Sequence, residues 1–240
     1  MQSRFQSLMR IATIVLVVAI LVMVGLLVRH VITSDNTPRT ELERAVVAAE
    51  EAVRADPEDP SARVKLAAAY LESGAMAAAQ EQGEIAVRLD PNDPSAYYVL
   101  GLVYLKRGDT EAAIEQLTTA VETEGQLAGF YQDAWAALAE AYDQDGQPER
   151  AIEAMDQSIN MGPENAQYLV RRAELYERQE MWADALADYV FAITYVPDYE
   201  PAIEGIERIR SEHPEAVDEA REKFEIMVPG SEEATTAPAE

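Results

Sequence analysis

Side chains that exchange protons, attack carbonyl carbons or hold metals are scarce in this chain. Its 240 residues include two histidines, His30 and His213, and no cysteine. The missing cysteines exclude disulfides, thiolate metal sites, acylation at cysteine and cysteine nucleophiles. His30 abuts an apolar run and His213 precedes Pro214 near a helix end, so each reads as a surface or interface side chain rather than a general base. Acids are abundant, with 44 Asp and Glu, and at that density one acid near another carries no information. The stretch Asp143-Gln144-Asp145-Gly146 resembles part of a calcium loop, but such a loop needs an acid where Ala141 stands and a bidentate glutamate where Ile152 stands. It reads as a helix end followed by a turn. No glycine-rich phosphate loop, Ser-His-Asp order or metal-ligand spacing is present. The expectation is a protein without catalytic activity, metal or cofactor, and with no small-molecule substrate.

Binding remains, and the elements that would position binding side chains recur. Tyr70, Tyr104, Tyr142 and Tyr176 follow one another at intervals of 34, 38 and 34 residues. Four residues before each stand Leu66, Leu100, Leu138 and Arg172, and three before stand the small residues Ala67, Gly101, Ala139 and Ala173. Nine residues after each tyrosine comes Ala79, Ala113, Ala151 or Ala185. Gly74, Gly108, Gly146 and Glu180 lie four residues after, and Pro91, Gly125, Pro163 and Pro197 close each unit. Small residues let two helices approach closely, leucine and tyrosine fill the gaps, glycine makes the turn, and proline ends the unit. A period of this length marks stacked helical hairpins.

These positions resemble the tetratricopeptide repeat family, and the copies Tyr97-Tyr-Val-Leu-Gly-Leu-Val-Tyr104 and Trp135-Ala-Ala-Leu-Ala-Glu-Ala-Tyr142 carry the likeness best. The resemblance implies an all-α fold, a right-handed α-solenoid of hairpins over residues 60–197, with repeats at about 60–93, 94–127, 132–165 and 166–199. Departures from the pattern are Arg172 for leucine, Glu180 for the turn glycine, and four extra residues around Thr123 to Gly129 that should lengthen a connection. Gly83 stands where later repeats carry Leu117, Met155 and Tyr189, so the first repeat is expected to be the loosest packed. Residues 41–57, with Ala45, Ala49, Ala52 and Pro57, match a second helix without a first and read as a capping half-repeat. Residues 199–227 should form polar capping helices, and 228–240 a disordered acidic tail.

The amino-terminal end has a different composition. After a tail of residues 1–10, Ile11 to Val28 is an uncharged run of eighteen residues, thirteen of them Ile, Val or Leu. At about 1.5 Å per residue it spans roughly 27 Å. Those thirteen side chains favour insertion by on the order of 4 to 8 kcal/mol. Arg29, His30, Val31 and Ile32 follow in place of a small-x-small cleavage site, so the run reads as an uncleaved signal-anchor, with residues 29–40 as a linker. Arg4 and Arg10 precede the run while Arg29, Arg39 and Arg44 follow it among acids, so charge balance alone does not set the orientation. A short basic tail before a first span is the usual arrangement for a cytoplasmic amino terminus, and the expectation is a single-pass cell-membrane protein of bacterial type with its repeats outside the cytoplasm. The net charge is −25, and the first thirty residues hold Arg4, Arg10 and Arg29 with no acid, leaving −28 for the rest. Such a chain repels nucleic acid and favours basic partners.

In the family that these repeats resemble, first helices line a concave groove. Helical spacing from the tyrosines then assigns Val64, Ala68 and Leu71, then Tyr98, Leu102 and Leu105, to that face. The third repeat adds Asp133, Ala136, Glu140 and Asp143, and the fourth Gln167, Val170, Glu174 and Glu177. The groove is expected to be apolar at its amino-terminal end and acidic beyond, and to take a protein or peptide with apolar and basic stretches. A clamp for a terminal carboxylate is not expected, because apolar residues and acids stand where its cations would be. The resulting expectation is a membrane-anchored scaffold or adaptor, similar to the repeat-bearing assembly factors of cytochrome c maturation. The alternative is a permanent structural subunit of a larger membrane complex, held through its transmembrane helix.

Overall fold

A computed structural model of the chain describes residues 23–24, 40–123 and 128–227, and places side chains in these except at 128–129 and 222–227. The tail at 1–10, most of the apolar run at 11–28, the linker at 29–39 and the acidic tail from 228 lie outside the described residues. No helix among the described residues is long and apolar enough to cross a membrane. The chain divides into two units, Met1–Arg44 and Ala45–Glu240. In the first, the described part ends in a helix start at Thr40. The Glu43 amide donates to the Thr40 hydroxyl, and the Thr40 amide donates back to the Glu43 carboxylate, each at 3.1 Å. This reciprocal capping box satisfies two amides that the first turn would otherwise leave bare.

The described residues are otherwise helical hairpins. In chain order the helices are α1 (Glu41–Ala55), α2 (Pro60–Glu72), α3 (Met76–Leu89), α4 (Pro94–Arg107), α5 (Thr110–Glu122) and α6 (Ala128–Gln144). They continue as α7 (Pro148–Met161), α8 (Ala166–Arg178), α9 (Trp182–Tyr195), α10 (Glu200–Glu212) and α11 (Ala216–Met227). First helices begin on side-chain caps: Asp59, Asp93 and Asn165 accept the amides of Ser61, Ser95 and Gln167. Pro60 and Pro94 stand at the first helical positions, where a missing N–H costs nothing.

The four tyrosines end their helices in one way. The carbonyls of Tyr70, Tyr104, Tyr142 and Tyr176 accept the amides of Ala75, Asp109, Gln147 and Met181 at 2.8 to 3.0 Å. That closure needs a left-handed residue between them. Gly74, Gly108 and Gly146 supply it at φ +79°, +75° and +73°, and Glu180 adopts the same conformation at φ +58° in spite of its Cβ. The turn therefore persists in the fourth repeat with a less suitable residue.

Packing follows the alanines. Ala79, Ala113, Ala151 and Ala185 are fully buried, as are Ala86, Ala120, Ser158 and Ala192 seven residues later. A Cβ on Gly101 would lie 2.5 Å from Leu117 Cγ, so this glycine permits the contact between α4 and α5. The space at Gly83 is filled, because a Cβ there would lie 2.8 Å from Leu100 Cγ and Cδ2. The leucine of the next repeat already occupies the space that a large residue at 83 would need.

The extra residues between the second and third repeats fall partly outside the described segment, and the rest lengthen α6 to 17 residues. Phe130, near its start, meets Tyr98 edge-on at 5.2 Å and Tyr131 at 5.3 Å. The Tyr131 hydroxyl donates to the Thr123 carbonyl, which ties the insertion back to the end of α5. At the other end of the array α11 packs against α9, and the Trp182 ring stacks on His213 at 3.8 Å and 9°. No residue of α1 is buried. Ala45 and Ala52, in register with Ala79 and Ala86, are exposed, and the hydrogen bond from the Tyr70 hydroxyl to Glu50 at 2.7 Å links α1 to α2.

Candidate protein-binding groove

Successive first helices run parallel. At their amino-terminal ends the Tyr168 hydroxyl of α8 donates to the Asp133 carboxylate of α6, and near their other ends Arg178 meets Asp143 at 2.7 Å. Two adjoining cavities open along these helices and share Glu140. One, of about 510 Å³, lies between α4 and α6 and is lined by Leu102, Leu105, Lys106, Arg107, Glu140 and Gln144 among others. The other, of about 280 Å³, lies between α6 and α8 over Ala139, Met155 and Leu175, with Glu140, Asp143, Arg171, Glu174 and Arg178 around it.

Of the residues assigned to the groove from sequence, Leu102, Leu105, Glu140, Asp143 and Glu174 line these cavities. Leu71 at 5% exposure belongs to a buried cluster with Ala79 and Val103, and Ala136 and Val170 are core residues as well. Leu105 is buried too, at 6%, and forms cavity wall rather than a projecting contact. Val64 and Ala68 are half-buried on α2, away from either cavity, and Gln167 is exposed at the start of α8. Tyr98 is half-buried against Phe130, and burial pushes its hydroxyl above the ordinary tyrosine value. Asp133, exposed, accepts from Tyr168, whose pKa is pushed up by burial and by that hydrogen bond.

The expected acidic half of the groove is corrected by arginines that the spacing argument overlooked. Glu140 faces Arg171 at 3.6 Å, Asp143 meets Arg178 at 2.7 Å, and Glu177 meets Arg208 of α10 at 2.7 Å. Each pair joins the first helix of one repeat to that of the next. Glu177 also accepts from the Tyr189 hydroxyl at 2.8 Å, which leaves it little capacity for a partner. Lys106 and Arg107 add positive charge beside Leu102 and Leu105, and Arg107 donates to Gln80. A signal was present in the sequence, since Arg171 and Arg178 stand seven residues apart and so share a helical face.

The fourth repeat carries a second, buried set of charges. Arg172 contacts both Asp188 carboxylate oxygens at 2.7 Å and also reaches Asp156. Burial pushes the Asp188 carboxyl above the ordinary range, and the bidentate guanidinium opposes that rise. Both side chains sit within the packed hairpin, with Asp188 only 2% exposed. Asp145 lies in an exposed turn, where hydrogen bonds from Gln147 and Thr110 hold its carboxyl below the usual value. His213 is stacked on Trp182 and lies 3.3 Å from the Glu215 carboxylate. Among the described residues no group of three or more His, Asp or Glu side chains is arranged to hold a metal.

Tetratricopeptide repeat family models match residues 40–103, 98–159 and 136–190, a span that runs from α1 to α9. The chain belongs to the tetratricopeptide repeat family. No curated protein matches it in sequence. Among solved structures it is similar to the APC/C hetero-tetramer Cut9-Hcn1, at 21% identity and TM-score 0.64 over 70% of this chain, and it spans 33% of the length of that one. It is also similar to YrrB, described as a TPR protein with an unusual peptide-binding site, at 17% identity and TM-score 0.58, over 78% of this chain and 95% of that one. MamA from Desulfovibrio magneticus RS-1 is similar at 25% identity and TM-score 0.57, over 67% and 89% of the two chains. Tetratricopeptide repeat arrays are typically scaffolds for protein–protein contact and bind peptides or proteins, which fits an open groove better than an enclosed catalytic pocket.

Proposed function

We propose that this tetratricopeptide repeat protein is a non-catalytic, membrane-anchored scaffold that holds a partner polypeptide in the groove of α4, α6 and α8 next to the bilayer. The observation that carries the reading is the pair of adjoining cavities across three first helices, apolar along Leu102 and Leu105 and rimmed by charge. Anchoring rests on the composition of residues 11–28, which lie almost wholly outside the described residues. Export of the repeats rests on Arg4 and Arg10.

A photoreactive residue at Gln144, in the groove, should crosslink to a polypeptide in intact membranes, and the same residue at the exposed Gln157 of α7 should not. Equal adducts at both positions, or none at either, would count against the groove. A carboxyl-terminal reporter active only in the cytoplasm would reverse the proposed orientation, and release of the full chain by carbonate without detergent would remove the anchor.

A further inference from the structure

The two cavities differ in charge in a way that the sequence did not disclose. In the α4/α6 cavity the cations are Lys106 and Arg107, and the acid that lines it, Glu140, already faces Arg171. In the α6/α8 cavity Arg171 and Arg178 are engaged by Glu140 and Asp143, so Glu174, exposed and in no ion pair among the described residues, is its uncommitted charge. Lys106 likewise is exposed and in no ion pair among the described residues. An uncommitted cation stands at one end of the groove and an uncommitted anion at the other, with Leu102 and Leu105 beside the cation and Leu175 and Met155 beneath the anion.

We propose that the groove takes a dipolar polypeptide segment, with an Asp or Glu at Lys106, an apolar side chain between, and a Lys or Arg at Glu174. This rests on the reading of the groove as a peptide site and names the chemistry of the ligand. A uniformly basic segment matches Glu174 but meets Lys106 and Arg107 at the other cavity, where like charges repel. A uniformly acidic one has the converse conflict. First helices of alternate repeats are separated by two interhelical steps of about 8–10 Å, so the charged ends of the ligand lie on the order of 20 Å apart. At about 3.3 Å per residue an extended segment covers that in roughly six residues.

The full chain in detergent micelles, immobilised and panned with a phage-displayed library of random peptides, tests this. Enriched peptides should carry an acid and a base about six residues apart with an apolar residue between them. Lys106→Glu should weaken a selected peptide by at least about tenfold, and a peptide with its acid changed to lysine should restore binding to that variant. Glu174→Lys should show the reciprocal pattern with the basic residue, while Glu153→Lys on α7, outside both cavities, should leave binding unchanged. Circular dichroism should be the same for all three variants. Enrichment of uniformly basic peptides that Lys106→Glu does not weaken would overturn the dipolar ligand and leave the groove reading standing. Absence of any enrichment would overturn both.

Discussion

Replacing Arg172 by leucine restores the residue that the other three repeats carry, and should nevertheless destabilise the protein. Asp188 is 2% exposed, and both of its oxygens are held by Arg172 at 2.7 Å. Removing the guanidinium strands a carboxylate in the hairpin core, which costs about 3–5 kcal/mol when a buried pair is broken from one side. The corresponding positions of the third repeat are Leu138 and Ala154, both buried. Arg172→Leu combined with Asp188→Ala should therefore recover most of the loss, since a buried ion pair exchanged for apolar residues is neutral or stabilising by about 1–4 kcal/mol. Denaturant unfolding followed by circular dichroism on wild type, both single variants and the double variant closes a mutant cycle with a coupling of at least about 3 kcal/mol. A loss below about 1 kcal/mol for Arg172→Leu alone, or a double variant no better than that single one, would refute the account of Asp188 as a buried charge that depends on this arginine.

Two further outcomes follow from the packing. Gly83→Leu should destabilise by about 1–3 kcal/mol in the same unfolding assay, because Leu100 already fills the space above it; a gain in stability would mean that this space can open. In alkali the tyrosines set the limit. Burial pushes Tyr176 up from 10.0 to about 12, and Tyr168 and Tyr189 are raised further by burial and by hydrogen bonds to Asp133 and Glu177. A folded pKa above the unfolded one contributes stability that is complete below pH 10.0 and lost as pH rises through about 12. The ionisation of Tyr168, Tyr176 and Tyr189 and the loss of helicity should therefore go together at and above that window, and ionisation of these three near pH 10.0 with helicity intact would contradict their burial.

The repeat family was legible because close helix contacts constrain residue size: only alanine or serine, fully buried, stands at Ala79, Ala86 and their equivalents, so the pattern recurs in the letters. The turn was legible for a similar reason at three glycines, and Glu180 shows that the backbone closure can outlast its preferred residue. Five of the residues assigned to the groove line the two cavities, and their electrostatics were not legible in the sequence. Helical spacing within one helix says which side chains share a face, and says nothing of which cation the next repeat brings to Glu140, Asp143 or Glu177 31 to 35 residues later. The same limit hid Phe130 over Tyr98 and Leu100 over Gly83, both contacts between neighbouring repeats.

Burial separates two uses of the same ion pair in this chain. Arg172 and Asp188 are enclosed, and exchanging either alone exposes the full desolvation cost of the other. Arg171 with Glu140 and Arg178 with Asp143 are between about a third and a half exposed, and pairs of that kind are worth on the order of 0–1 kcal/mol each. If the groove takes a peptide as proposed, an incoming charge would exchange with such a pair at little cost, while the hairpin that carries the groove keeps its register. That difference leaves the groove lined with charges yet nearly balanced in a chain of net charge −25, and on the proposed reading recognition there would depend on where a ligand places each charge rather than on how much it carries.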